Sequence, residues 1–155
     1  MKDFGLWVPS RGRLFLAGSL LALAYLLASC SEVKFISDYD ENTASAVIQL
    51  HGQVEQFLLK LEKTAGKPEG SHEVLEESYD HVRLALSDLH LRCAAREKND
   101  LQVQQIDLIS KNWDSLEQLH KLGLTAEQIP PLRTAFNVAF TAVLRLENAK
   151  KRGGQ

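Results

Sequence analysis

The chain has 155 residues, of which 45% are hydrophobic, 25% charged and 7% aromatic, with a formal net charge of −2. That length suits one domain and not two. Nine Gly and four Pro exclude a collagen-like or low-complexity chain, two Cys exclude a disulfide scaffold, and the near-neutral balance gives no general case for nucleic-acid binding.

In chain order, the first segment reads as an address. Residues 1–13 hold Lys2, Arg11 and Arg13 against one acid, Asp3. Leu14 to Leu27 carries no charge, and Ala28-Ser29-Cys30 follows. A positive n-region, an apolar h-region and small residues before a cut make a secretory signal peptide. The apolar stretch from Leu14 to Ala28 is 15 residues long. A helix needs ~20 to span hydrocarbon, so a permanent transmembrane anchor is the weaker reading.

Leu27-Ala28-Ser29-Cys30 resembles the bacterial lipobox, an aliphatic residue and two small ones before a Cys. The resemblance implies diacylglyceryl transfer to the Cys30 sulfur, cleavage between Ser29 and Cys30, and usually acylation of the new amino terminus. Each buried CH₂ of such chains contributes ~0.8 kcal/mol, and stable anchoring takes more than one chain. Ser31, not Asp, follows the Cys. In the enteric sorting pattern Asp at that place retains a lipoprotein in the inner membrane. The resemblance therefore implies the outer membrane, on its periplasmic face.

Cleavage changes the arithmetic. The removed segment takes three cations and one acid with it, leaving 126 residues with 15 Lys and Arg against 19 Asp and Glu, net −4. A mildly acidic domain has no electrostatic reason, as a whole, to bind anionic lipid or nucleic acid. Ser31 to Ile36 reaches ~20 Å when extended, so the folded part rides close to the bilayer.

Beyond the tether the apolar spacing is helical. Ser37 or Asp38 is the expected N-cap of a first helix, to about Thr64, with Val47, Leu50, Val54, Phe57 and Leu61 on one face. Ala65-Gly66-Lys67-Pro68-Glu69-Gly70 stops it. Ser71 is placed to cap a second helix, 72–97, whose seam is Leu75, Tyr79, Val82, Leu86, Leu89 and Cys93. That register then meets Arg96 and Asp100, while Val103, Ile106, Ile109, Trp113 and Leu116 open another. A turn around Lys98-Asn99-Asp100 is therefore expected, with one bent helix over 72–122 as the rival.

The third helix, 102–122, closes at Leu122-Gly123. Thr125 to Gln128 matches a capping box, with Leu124 and Ile129 spaced as a hydrophobic staple. The fourth helix, 126–151, begins with Pro130 and Pro131 near its front, where missing N–H groups cost least. Its expected seam is Leu132, Phe136, Ala139, Val143 and Leu146, and Lys150, Lys151 and Arg152 suit its C-terminal dipole. The expected organisation is a signal peptide over 1–29, a lipidated tether over 30–36, and an all-α, antiparallel up-down four-helix bundle over 37–152.

Residues able to carry chemistry are few. Glu117-Gln118-Leu119-His120 is a Glu-x-x-His, the motif that recurs on two helices of di-iron bundles, but it occurs once here. The bland alternative is that His120 is a surface or cap histidine. Glu73, Glu77 and His81 share one face of the second helix and are candidate metal ligands, against a solvated flank as the alternative. His72, Glu76 and Asp80 lie on a neighbouring face, and His51 and His90 stand alone. No Cys-x-x-Cys-His exists and no Met follows residue 1, which excludes a His/Met cytochrome pair. Cys93, at a seam position, reads as an inert core thiol. Trp113 and Phe136 read as core. Phe35 and Tyr39 are placed to sit at the headgroup level, the alternative being that Phe35 and Ile36 fold back on the bundle end.

No Gly-x-Ser-x-Gly elbow and no phosphate-cradling loop occurs in the sequence. The expectation is a non-enzymatic, cofactor-free lipoprotein, held to the membrane by Cys30 and offering a helix face to an envelope protein. A metal- or small-ligand-binding bundle using Glu73, Glu77, His81, Glu117 or His120 is the alternative.

Overall fold

The computed structural model describes residues 36–153, so the lipobox and the signal segment lie outside the described residues. The protein is all-helical: α1 Glu41–Thr64, α2 His72–Ala94, α3 Asp100–Lys121 and α4 Ile129–Gly153, with 3-10 turns at Pro68–Gly70 and Ala126–Gln128. Among the described residues there is no strand, and no helix is long and apolar enough to cross a membrane. Each helix packs on two others, α1 and α3 both lying against α2 and α4.

The α1 and α2 seams are buried as the spacing predicts, with Leu58 and Thr43 added on α1. Each helix supplies one ring to a central aromatic cluster. Phe57 of α1 meets Tyr79 of α2 at 4.6 Å and Trp113 of α3 at 4.9 Å, and Trp113 meets Phe136 of α4 at 6.0 Å. All three pairs are edge-to-face, which sets the positive ring edge against the negative face. The Trp113 indole N–H also donates to the Tyr79 carbonyl at 3.1 Å, so the largest buried ring leaves no donor unpaired.

The helix ends differ from expectation in instructive ways. Neither Ser37 nor Asp38 caps α1; Asp40 does, accepting from the Asn42 N–H at 3.3 Å and from the Thr43 hydroxyl. The Thr43 hydrogen bond, helped by Arg96, holds the Asp40 carboxyl below its ordinary range. Ser37 is used elsewhere: its N–H donates to the Lys98 carbonyl at 3.0 Å and its hydroxyl to Asn99 Oδ1 at 2.8 Å.

Residues 72–122 form two helices, not one, and α2 ends at Ala94 rather than 97. The turn has no glycine; Lys98 takes the left-handed conformation itself, with φ 59°. Asn99 replaces the missing C-cap partner by donating from Nδ2 to the Cys93 carbonyl at 2.9 Å. α3 then begins at Asp100, two residues early.

At the front of α4 the Thr125–Gln128 capping box is present, and Leu124 and Ile129 are both buried. The box closes a 3-10 turn, and the α-helix proper begins at Ile129, with Pro130 and Pro131 next. The α4 seam departs from the prediction. Phe136 and Val143 are buried as expected, but Phe140, Glu147 and Lys150 complete the stripe, while Leu146 is only half-buried. A helix turns 3.6 residues at a time, so a stripe that steps 136-140-143-147-150 follows one face as well as one through Leu132 and Leu146. The apolar pattern alone picks the wrong one, because the correct face ends in two charged residues.

Candidate functional site

Polar side chains concentrate at the two ends of the helix stack. One cluster joins the start of α2 to the end of α3. His120 is 8% exposed, and both ring nitrogens are engaged. Its Nε2–H donates to the Gly70 carbonyl at 2.7 Å; a carbonyl only accepts, so Nε2 carries the proton. In the neutral ring Nδ1 is then an acceptor, and the Tyr79 hydroxyl donates to it at 3.0 Å. Burial, with the Glu117 charge adding to it, pushes the Tyr79 phenol up, so it stays a protonated donor.

Glu117, three residues earlier, faces a different set of partners. Lys121 Nζ lies 2.9 Å from its carboxylate, His72 Nε2–H donates at 2.8 Å, and Arg83 donates as well. The Lys121 bond, then those of His72 and Arg83, outweigh burial and hold the Glu117 carboxyl down at about 2. Beside this cluster an open cleft of about 630 Å³ is lined by Lys67, His72, Glu73, His120, Lys121 and Thr125 among others.

The sequence-predicted candidates are thus placed but not gathered. Glu117 and His120 turn to separate partners and share no vacant coordination point. His120 is neither a surface nor a simple cap histidine: it is a buried strut that pins the Pro68–Gly70 turn to α2 and α3. His72 does not lie on a solvated flank either, being paired with Glu117 and stacked on Tyr79 at 5.6 Å. Glu77 and His81 are 3.7 Å apart with side chains 90% and 73% exposed. Glu73 is exposed and serves its own helix start; its own backbone N–H and the Ser71 hydroxyl lower its carboxyl below the usual range. Among the described residues no group of three or more His, Cys, Asp or Glu is placed to hold a metal ion. His51 bonds Asn137 at 2.6 Å, and His90 pairs with Asp107 at 3.2 Å.

The second cluster, at the opposite end, lies where helix-by-helix reading places only surface charges. Lys150, expected as a charge at the helix end, is 4% exposed, and Glu147 is 1% exposed. Lys150 Nζ donates to Glu147 Oε1 at 2.7 Å, to Asn99 Oδ1 at 2.7 Å and to Gln102 Oε1. Three N–H groups thus meet three acceptors, which is what lets an ammonium be buried. The other Glu147 oxygen accepts from the Asp40 N–H at 3.3 Å. With the Ser37 hydroxyl on Asn99, the network ties together the chain ahead of α1, the α2–α3 turn, the start of α3 and the end of α4. The one signal for it in the sequence is the seam itself: the stripe through Phe136, Phe140 and Val143 runs on to Glu147 and Lys150.

Cys93 is buried beside this network, and burial pushes its thiol up, which keeps it protonated and a poor nucleophile. The chain matches no protein-family model, no curated protein and no solved structure, so its chemistry rests on this geometry and on the sequence.

Proposed function

We propose that this protein is a lipid-anchored envelope protein without enzymatic activity. Its helical domain, an antiparallel up-and-down four-helix bundle, is tethered through Cys30 to the periplasmic face of the outer membrane and offers a helix face to another envelope protein. The observation that carries the reading is Leu27-Ala28-Ser29-Cys30 at the end of an uncharged h-region. The antiparallel arrangement is supported by side-chain pairs that run in opposite senses. On α2 and α3 these are His72 with Glu117 and His90 with Asp107; on α1 and α4, Glu62 with Arg133 and Asp40 with Glu147.

The polar clusters support a scaffold role. Their imidazole, phenol and carboxylate groups are committed to internal bonds rather than aimed at a substrate. Large apolar side chains that remain outside, such as Leu91 at 70% and Leu122 at 85% exposed, supply contact area for a partner. The mechanism is confinement: a lipid anchor holds the domain in two dimensions and raises the effective concentration of any partner beside it.

The Cys30→Ala variant tests the anchor. It should lose all incorporation of labelled fatty acid and retain its signal segment. A Cys30→Ala protein still labelled and still fractionating with membranes as wild type does would sink the proposal. In-cell photocrosslinking from Leu91 and Leu122 should then capture one discrete protein partner.

A further inference from the structure

We propose that the end of the domain holding Ser37, Lys98 and Lys150 seats on the phospholipid headgroup layer, held in that pose by the buried polar network, with the opposite end pointing away from the membrane. This rests on the lipid-anchor reading of Cys30. Three observations lead to it.

The first is reach. Only five residues separate Cys30 from Ile36, a span of ~20 Å at most. α1 has 24 residues, and so runs ~36 Å. The tether joins the domain ahead of α1, so it is too short for the domain to stand on its far end.

The second is the network. Ser37 is fastened twice, by its N–H to the Lys98 carbonyl and by its hydroxyl to Asn99, and Asn99 is held in turn by Lys150. Arg96 adds a bond to the Asp38 carbonyl at 2.8 Å. The chain therefore leaves the domain from a fixed point. Without those bonds that point would be loose.

The third is the distribution of charge and apolar surface. In the part nearer this end (residues 36–52, 83–110 and 142–153) eight Lys and Arg balance eight Asp and Glu. In the rest (53–82 and 111–141) six face ten, so all of the domain's net −4 lies there. A surface bearing anionic lipid repels that part and is indifferent to the first. At the near end Ile36 is 40% exposed, and Lys151 Nζ lies 5.1 Å over the Tyr39 ring, an aromatic and cationic pairing suited to the headgroup region. Lys98 and Arg152 are exposed beside them, and the acids Asp38, Glu41, Glu97 and Asp100 balance these cations. The surface matches zwitterionic headgroups, which carry both signs, and needs no anionic lipid.

The test uses the lipidated full chain in phosphatidylcholine vesicles containing a headgroup nitroxide lipid. A fluorophore is placed at Lys98→Cys or at Leu122→Cys, which lie at opposite ends; Cys93 is buried and does not compete for label. The label at 98 should be quenched severalfold more than the label at 122. That ratio should fall towards one in Ser37→Ala and in Lys150→Met; should Lys150→Met fail to fold by circular dichroism, Ser37→Ala alone carries this arm. Equal quenching at both ends of a chain shown by mass spectrometry to carry the lipid overturns the proposed pose while leaving the anchor standing. A ratio unchanged by the Ser37 variant overturns the role of the network. A chain with no lipid adduct overturns the anchor, and the pose with it.

Discussion

Lys150 and Glu117 show how a charge can be accommodated away from water in two ways. Lys150 is a buried cation with three acceptors and one opposite charge. Removing one member of such a pair leaves the other uncompensated, at a cost of about 3–5 kcal/mol, whereas replacing both by apolar groups of similar size is often neutral. Lys150→Met should therefore lower the urea-unfolding free energy by about that amount, and Lys150→Met with Glu147→Leu should recover most of it. A double variant no more stable than the single one would show that Asn99 and Gln102, not Glu147, dominate the site.

Glu117 titrates in a different regime. Its folded-state value of about 2 lies below the ordinary 4.5. It therefore contributes stability that is complete above pH 4.5 and is lost as pH falls through 2. The Tm of Glu117→Gln should drop less than that of wild type between pH 5 and pH 2, as read by thermal circular dichroism. Parallel curves would remove Glu117 from the acid response. The role of Glu117 was not legible in sequence, since its partners on α2 are 34 and 45 residues away.

At the scale of helices and turns, local chemistry decides more. The α1 and α2 seams follow from 3-4 spacing because both are carried by apolar side chains, Thr43 at the front of α1 excepted. The α2–α3 turn follows from a register break and not from any Gly or Pro. Two glycines carry opposite predictions. Gly52 sits inside α1, and a Cβ added there would meet nothing within 4 Å; Gly52→Ala should stabilise by about 0.5–1 kcal/mol, since alanine has less backbone freedom to lose. Gly70 lies against the Thr64 carbonyl, where an added Cβ would overlap backbone. Its own carbonyl also accepts from His120. Gly70→Ala should destabilise by more than about 1 kcal/mol, the usual scale for forced overpacking. Chemical denaturation of the two variants side by side checks both signs.

For the molecule as a whole, the four rings Phe57, Tyr79, Trp113 and Phe136 bind all four helices into one core. Trp113→Ala should cost about 3–5 kcal/mol, measured by the same denaturation, because the cavity opens at a point shared by every helix. What the sequence determined by itself is periodic or local: an all-helical domain, its seams in α1 and α2, the α3 seam from Ile106 to Leu116, and the capping box at Thr125. Each of these is written within a few turns of chain, where hydrophobic spacing or a short motif acts alone. What only the tertiary structure decided is which polar groups are buried. His120, Glu147 and Lys150 look like surface residues one helix at a time. They become interior when the fold brings a carbonyl, an amide or an opposite charge to within about 3 Å, the distance at which a hydrogen bond offsets the loss of water.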